Sequence, residues 1–154
     1  MTRAYLAFTE KGLALAQKLA SALPGTVARC GHGGPGLADW TAEQFAHADA
    51  LIFVGAVGIA VRAIAPHCRN KAVDPAVVVL DECGHFAVPI LSGHLGGAND
   101  LARALAAACG AVPVITTATD ANGVFAVDAW ARHQNCAVLE PGRIKRVSSR
   151  LLAG

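Results

Sequence analysis

The residue best suited to proton transfer in this sequence is His94, which lies between glycines in the segment LSGHLGG at residues 91–97. An imidazole with an ordinary pKa of about 6.5 can give or take a proton near neutral pH, so His94 is a candidate general base or acid. Ser92, two residues earlier, is a candidate nucleophile, although the segment lacks the G-x-S-x-G pattern of a nucleophile elbow. The alternatives are a histidine that only makes hydrogen bonds within its loop and a serine without a covalent role.

Three glycine-containing turns and one turn rich in hydroxyl groups are candidates for a shared ligand site. They occupy residues 9–12, 55–58, 92–97 and 116–120. Glycine lets backbone approach a ligand closely, and the N–H groups at the start of a following helix favour an anion. Because each turn follows a predicted strand, we expect all four at the carboxyl edge of one sheet, where open α/β folds bind ligands. Arg62 would add a carboxylate contact there, and a surface arginine on an amphipathic helix is the alternative.

The elements that must position these groups alternate between apolar runs and helical patterns. Strands are predicted at residues 3–9, 27–30, 50–54, 76–80, 86–91, 112–115 and 137–139. Helices are predicted after the turns at residues 12, 58 and 97, over residues 124–134, from Pro141 onward and, because Thr41 and Gln44 form a capping box, after Thr41. The order predicts an α/β fold of three layers, with a doubly wound, mainly parallel sheet and a β-hairpin near residues 81–85, in a single domain spanning residues 1–154.

The composition is typical of a cytoplasmic domain that binds neither nucleic acid nor membrane. The chain has 154 residues, of which 54% are hydrophobic and 5% aromatic, and its formal net charge is +2. Few aromatic residues leave no stacking platform for bases, and a small net charge gives no strong field for phosphates. The apolar runs are shorter than the ~20 residues of a membrane span, and no signal peptide is evident. A basic run near the end is interpreted as a solvated helix face rather than a binding patch: Arg143, Lys145, Arg146 and Arg150.

No pattern indicates a metal bound by the protein, a redox pair or a dinucleotide. The five cysteines are widely separated, and the six histidines lack the spacing of metal ligands. The glycine-rich run at residues 31–36 contains Pro35 and opens no immediate helix, so it matches a dinucleotide fingerprint poorly.

Several longer motifs resemble the N-terminal part of the cobalt-precorrin-5A hydrolases. They are GIAVRAIAP at residues 58–66, LSGHLGGAN at residues 91–99 and TTATD at residues 116–120, and DPAVVV at residues 74–79 is similar as well. The likeness covers residues 50–130 strongly and the rest loosely. Several long motifs in the same order are more specific than any one of them.

The resemblance implies an enzyme of anaerobic cobalamin (vitamin B12) biosynthesis, which opens the lactone of cobalt-precorrin-5A and releases a two-carbon fragment as acetaldehyde. We then expect His94 to activate water as a base, amides near Gly96 and Gly97 to hold the oxyanion, and Asp120 to handle protons in carbon–carbon cleavage. Ser92 remains a third catalytic candidate. The candidate substrate-binding residues come from the turns and their surroundings: Gly12, Gly58, Arg62, Lys71, Gly93, Gly96, Gly97, Asn99, Thr116, Thr117 and Thr119.

The expected ligand is an anionic corrinoid, whose carboxylate arms suit turns that attract anions. No cofactor is expected, since the cobalt arrives chelated by the macrocycle. Members of the family usually continue into a C-terminal domain, so we expect either the N-terminal domain of such a protein or a single-domain version that needs a partner subunit. A homodimer is a further alternative. Two alternatives stay open: a non-catalytic corrinoid-binding module, and a flavodoxin-like or Rossmann-like nucleotide binder, which the absence of G-x-G-x-x-G after the first strand disfavours.

Overall fold

One six-stranded sheet with helices on both faces makes up the computed structural model, which describes residues 1–154. The strands are β1 (Arg3–Ala7), β2 (Thr26–Arg29), β3 (Ala50–Val54), β4 (Ala76–Leu80), β5 (Phe86–Leu91) and β6 (Val112–Pro113). The helices are α1 (Glu10–Ala22), α2 (Leu37–His47), α3 (Val57–Ile64), α4 (Ala98–Cys109), α5 (Ala118–Ala121), α6 (Val127–His133) and α7 (Ile144–Ala153). The strand order β2-β1-β3-β4-β5-β6 confirms the doubly wound α/β fold. None of the helices has the length and apolarity needed to cross a membrane.

The two central strands are buried on both faces, as expected for strands covered by helices on each side. Every residue of β3 and β4 is buried. Because side chains alternate along a strand, Ile52 and Val78 pack under α1 and α4, whereas Phe53 and Val79 pack under α2 and α3. Trp40 of α2 meets Phe53 edge-on, with ring centroids 5.5 Å apart. The sheet is therefore a rigid platform between two apolar layers.

The hairpin between β4 and β5 is present as predicted, and it reverses the chain direction within the sheet. Leu80 pairs with Ala87 and Val77 pairs with Leu91 in an antiparallel ladder, whereas the other neighbouring strands pair in parallel. The carboxylate of Asp81 holds the turn, because it accepts hydrogen bonds from three backbone N–H groups between residues 83 and 86. The chain after β5 consequently leaves the sheet at the edge opposite to the ends of β1, β3 and β4.

Several predicted bounds are longer than the observed elements, as for α6 and β6, and α5 was not predicted; two further predictions differ more from the structure. The helix expected after Thr41 begins four residues earlier, at Leu37 with Gly36 as its N-cap, and Thr41 is buried inside it. Residues 137–139 are not a strand, because they connect α6 to the turn before α7 and have no sheet neighbour to pair with.

Candidate active site

The four turns of similar composition divide between two edges of the sheet, so the expectation that they converge is wrong. Residues 9–12 and 55–58 follow β1 and β3 at the carboxyl edge of the parallel strands. Residues 92–97 and 116–120 follow β5 and β6, which run the other way, and therefore lie at the opposite edge. The catalytic candidates His94 and Asp120 are thus brought together, and the turns before α1 and α3 are separated from them.

His94 is held between two carboxylates. Its Nε2 lies 2.6 Å from Oδ2 of Asp120, and its Nδ1 lies 3.1 Å from Oδ1 of Asp128. A neutral imidazole has one N–H and can satisfy one of these acceptors, whereas an imidazolium has two. The geometry therefore favours the protonated form of His94.

The Asp120 carboxylate is surrounded by donors. Oδ2 accepts hydrogen bonds from His94 and from the hydroxyl of Thr117, both at 2.6 Å, and Oδ1 accepts one at 2.7 Å from the guanidinium of Arg103. The Asn99 side-chain N–H donates to Thr117 at 2.9 Å and to Asp120 at 3.3 Å. This arrangement fixes Asp120 as an anion that orients the His94 ring.

Asp128 approaches His94 from the other side, out of the first turn of α6. Its side chain is 4% exposed, and its Oδ2 lies 3.8 Å from the ammonium of Lys71. A carboxylate this deeply buried needs partners to remain charged, and His94 and Lys71 supply them.

These contacts shift the pKa values of the three groups in directions that agree with the geometry. The Asp128 carboxylate beside Nδ1, followed by Asp120 beside Nε2, raises the pKa of His94 above its ordinary value, although partial burial opposes the shift. Burial by itself would raise the pKa of both carboxyl groups. The hydrogen bond from His94 nevertheless holds the pKa of Asp128 low, and His94, Thr117 and Arg103 together hold the pKa of Asp120 far below its ordinary value.

Two adjoining hollows expose His94 and Asp128 to solvent. One, of about 230 Å³, is lined by Lys71, Asp128, Thr117 and residues 92–95. The other, of about 430 Å³, extends past Thr119 to one face of α7. Because both share Lys71, His94, Thr117 and Asp128, they form one cleft, here called the His94 cleft. The His94 imidazole lies at its floor, in the part that both hollows share.

The loop that carries His94 is tied down by its own backbone, which leaves little of the predicted oxyanion site. The N–H groups of Gly97, Ala98 and Asn99 already donate to the carbonyls of His94, Ser92 and Gly93. The Gly97 amide is therefore occupied, contrary to the sequence-based expectation. Ser92 is buried, has a φ of +55° and donates its hydroxyl to the Asp74 carbonyl at 3.0 Å, which favours an anchoring role for this serine.

The substrate-binding candidates divide in the same way as the turns. Lys71, Gly93, Thr117 and Thr119 line the His94 cleft. Asn99 lies behind it, Gly96 packs against Ser92, and Thr116 is exposed without lining it.

Apart from Gly97, the candidates that remain are Gly12, Gly58 and Arg62, which lie in helices that follow the carboxyl edge. Gly12 donates its N–H to the N-cap Thr9 and packs against the end of β3, which gives it a structural reason to be glycine. Arg62 is exposed on α3, across the sheet from α4, and does not line the His94 cleft. The expectation that Arg62 and His94 face one patch is therefore wrong.

Gly97 is required by both conformation and space. Its φ is +83°, and a Cβ there would collide with the guanidinium of Arg132, which also pairs with Asp100 at 2.8 Å. We expect Gly97→Ala to lower the free energy of unfolding by about 2 kcal/mol, because alanine is strained in the left-handed region and Arg132 must move. Urea denaturation measures this change.

Gly58→Ala is the matched control, since Gly58 lies in the first turn of α3 with open space where a Cβ would stand. Alanine favours a helix over glycine, so stability should stay constant or rise by a few tenths of a kcal/mol. A Gly97→Ala protein as stable as Gly58→Ala would contradict the role assigned to the Gly97 conformation.

Sequence reasoning missed Asp128 as a functional residue. One signal was available: in the predicted helix, Asp128 shares a face with Val124 and Ala131 at spacings of four and three residues. An acidic residue on the apolar face of a helix is buried on folding and needs a partner. The partner, His94, could not be identified from spacing, because 34 positions separate the two in the sequence.

Comparisons with known proteins identify the family of this chain and agree with its fold. The family described as cobalamin synthesis G N-terminal matches residues 39–120, which is more than half of the chain. A cobalt-precorrin-5A hydrolase of Salmonella typhimurium is 46% identical over 86% of this chain and 40% of its own length. A cobalt-precorrin-5A hydrolase of Priestia megaterium is 49% identical over 53% of this chain and 22% of its own length. This chain therefore spans less than half the length of either relative.

A solved structure gives the same fold. The crystal structure of a cobalamin biosynthesis protein G homologue from Sulfolobus solfataricus superposes with a TM-score of 0.64 at 24% identity, covering 99% of this chain and 46% of that one. At this identity the likeness concerns the fold alone. The family match, which contains His94 and ends at Asp120, decides the assignment: the chain belongs to the cobalamin synthesis G N-terminal family.

Proposed function

We propose that this chain binds cobalt-precorrin-5A in the His94 cleft and contributes the acid–base groups that open its lactone. The observation that carries the proposal is the imidazole held between two carboxylates on the floor of a solvent-open cleft, with the Lys71 ammonium on its wall. The relatives named above support the substrate. The place of action is the cytoplasm, and the cobalt is part of the substrate rather than a cofactor of the protein.

The geometry assigns His94 the role of proton donor. Sequence reasoning made it the base, but two adjacent carboxylates favour the imidazolium, which must lose a proton before it can act as a base. In lactone opening, water adds to the carbonyl carbon and the ring C–O bond breaks. His94 then protonates the departing ring oxygen, which becomes a hydroxyl group.

Asp128 takes the proton that the attacking water loses. It lines the cleft and lies 3.1 Å from Nδ1 of His94, so it can pass that proton to the imidazole and restore the starting state. The pKa directions support this transfer, since the pKa of His94 is raised and that of Asp128 is lowered. One water is consumed, and the protein ends as it began.

Acetaldehyde release follows from the opened product. The new hydroxyl loses its proton, its oxygen becomes the aldehyde carbonyl, and the electron pair of the broken carbon–carbon bond passes to the macrocycle, which takes up a proton. Asp120 was the sequence-based candidate for these transfers, but it lines neither hollow of the cleft, and its carboxylate already accepts hydrogen bonds from His94, Thr117 and Arg103. We assign the proton removal to Asp128 instead.

The test is acetaldehyde release from cobalt-precorrin-5A, measured with a coupled dehydrogenase. It is run with this chain alone, where a homodimer can form, and with this chain fused to the remaining part of the Salmonella relative. Activity in either preparation supports the proposal, and activity only in the fusion shows that a further domain completes the site. A visible-band shift of the substrate without any acetaldehyde in either preparation would indicate a non-catalytic corrinoid-binding module.

A further inference from the structure

One face of α7 forms the outer wall of the His94 cleft. The face consists of Lys145, Ser148, Ser149 and Leu152, whose spacing of three, four and seven residues from the first places them on one side of a helix. Ile144 at the start of α7 is 4% exposed and anchors the helix to the body of the protein. The family match ends at residue 120, so nothing in that match assigns a role to this wall.

The four cations of the basic run near the end of the chain therefore lie in two different environments. The sequence interpretation placed all four of its cations on a solvated face. In the structure Arg143 pairs with Glu140, and Arg146 and Arg150 are exposed away from the cleft, as that interpretation expects. Lys145 is the exception, because it lines the cleft.

More cations than carboxylates face the cleft. They are the cations Lys71, Lys145 and protonated His94, and the carboxylate of Asp128. Asp128 is shared between His94 at 3.1 Å and Lys71 at 3.8 Å, whereas Lys145 has no carboxylate within ion-pair distance. The α7 wall thus presents one uncompensated ammonium beside two hydroxyl groups, a set of donors that suits a carboxylate.

We propose that Lys145, Ser148 and Ser149 form a subsite for one carboxylate arm of the corrinoid, and that Leu152 contacts the apolar edge of the macrocycle. This inference rests on the proposed function and names three recognition residues that lie outside the matched segment. An arm held on α7 brings the macrocycle edge over the imidazole, because the cleft of about 430 Å³ connects the two. The subsite sets affinity and orientation and takes no part in proton transfer.

The experiment compares two probes and two lysine variants. The probes are a cobalt corrinoid with free carboxylate arms and the same corrinoid with those arms converted to methyl esters. Binding to wild type, Lys145→Gln and Lys18→Gln is followed by the visible absorption of the corrinoid. Lys18 is an exposed lysine of α1 that does not line the cleft, so Lys18→Gln removes the same charge elsewhere.

Lys145→Gln is expected to weaken binding of the free-acid corrinoid about 5- to 10-fold, with a smaller loss at high salt, and to leave the ester unchanged. Ser148→Ala with Ser149→Ala should weaken the free acid a few-fold. Lys18→Gln should match wild type with both probes. In the acetaldehyde assay, Lys145→Gln should raise KM and leave kcat unchanged, since the interaction exists before and during the reaction.

Equal weakening by Lys145→Gln and Lys18→Gln, or equal weakening of acid and ester by Lys145→Gln, overturns the subsite and leaves the proposed function intact. No binding of the free-acid corrinoid by wild type, either as this chain alone or as the fusion, overturns the proposed function, and the subsite with it.

Discussion

Replacing His94 with Gln is expected to lower the rate of acetaldehyde release from cobalt-precorrin-5A about 100-fold. Glutamine can keep a hydrogen bond to Asp120 or Asp128, but it cannot carry a proton to the leaving oxygen. The measurement is kcat in the more active of the two preparations described above. His47→Gln is the control, because His47 lies on the exposed end of α2 and contacts only the backbone of its own helix.

The pH dependence separates the two roles considered for His94. As an acid, it is active while protonated, so kcat should fall as pH rises through its raised pKa. As a base, it would show the opposite slope.

The free energy of unfolding also depends on the protonation of His94. The stabilisation from its two ion pairs is fully present below the unfolded pKa of about 6.5, and it is lost as pH rises through the higher pKa of the folded state. Unchanged turnover in His94→Gln would remove this residue from the chemistry.

Replacing Asp128 with Asn is expected to have the second large effect, again about 100-fold on kcat at neutral pH. The amide has nearly the shape of the carboxylate but cannot accept the proton of the attacking water. It also removes a negative charge 3.1 Å from Nδ1, which is the largest cause of the raised pKa of His94, so that pKa should fall toward its ordinary value. The falling limb of the pH profile should then move to lower pH.

The shift can be measured without substrate, by following the imidazole resonances of His94 through a pH titration by NMR. Asp39→Asn is the control, since Asp39 is in the first turn of α2 on another side of the protein. If Asp128→Asn loses activity while the His94 midpoint stays in place, Asp128 acts on the substrate alone. If the activity and the midpoint of the His94 titration both stay at wild-type values, the contact between His94 and Asp128 has no role in catalysis.

Much of the fold was predictable because its central elements carry strong local signals. β3, β4, β5 and α4 begin and end where the apolar patterns predict. These strands are continuous apolar or β-branched runs, and α4 ends at Gly110 in the left-handed conformation. The start of α2 was missed because Gly36 is its N-cap and offers no side chain to signal it, while Thr41 and Gln44 imitate a capping box inside the helix.

The expectation that all four turns share one edge was wrong for a topological reason. The sequence indicated both a hairpin and a set of turns at one edge, and these two expectations are incompatible for the chain that follows the hairpin. A hairpin joins β4 to β5, so β5 runs antiparallel to β4. The turn at the end of β5 therefore lies at the opposite edge of the sheet. The expectation that His94, Thr117 and Asp120 lie close together was nevertheless correct. Because β5 and β6 are parallel to each other, the turns that follow them lie at the same edge.

The contribution of the last third of the chain could not be predicted from motifs. Asp128 of α6 and Lys145 of α7 reach the cleft because α7 packs against both α5 and α6. Such contacts depend on how a helix docks, and docking is decided by tertiary packing rather than by local spacing.

The reversal at β5 gives the molecule two rims, separated by about one strand length, or roughly 17 Å for five residues. The His94 cleft lies at one rim, and the loops before α1 and α3 lie at the other. A tether, a dye or a surface for immobilisation attached near Thr9 or Gly55 would accordingly leave the His94 cleft open. That rim is therefore a suitable attachment point for measuring how fast a large corrinoid binds and dissociates.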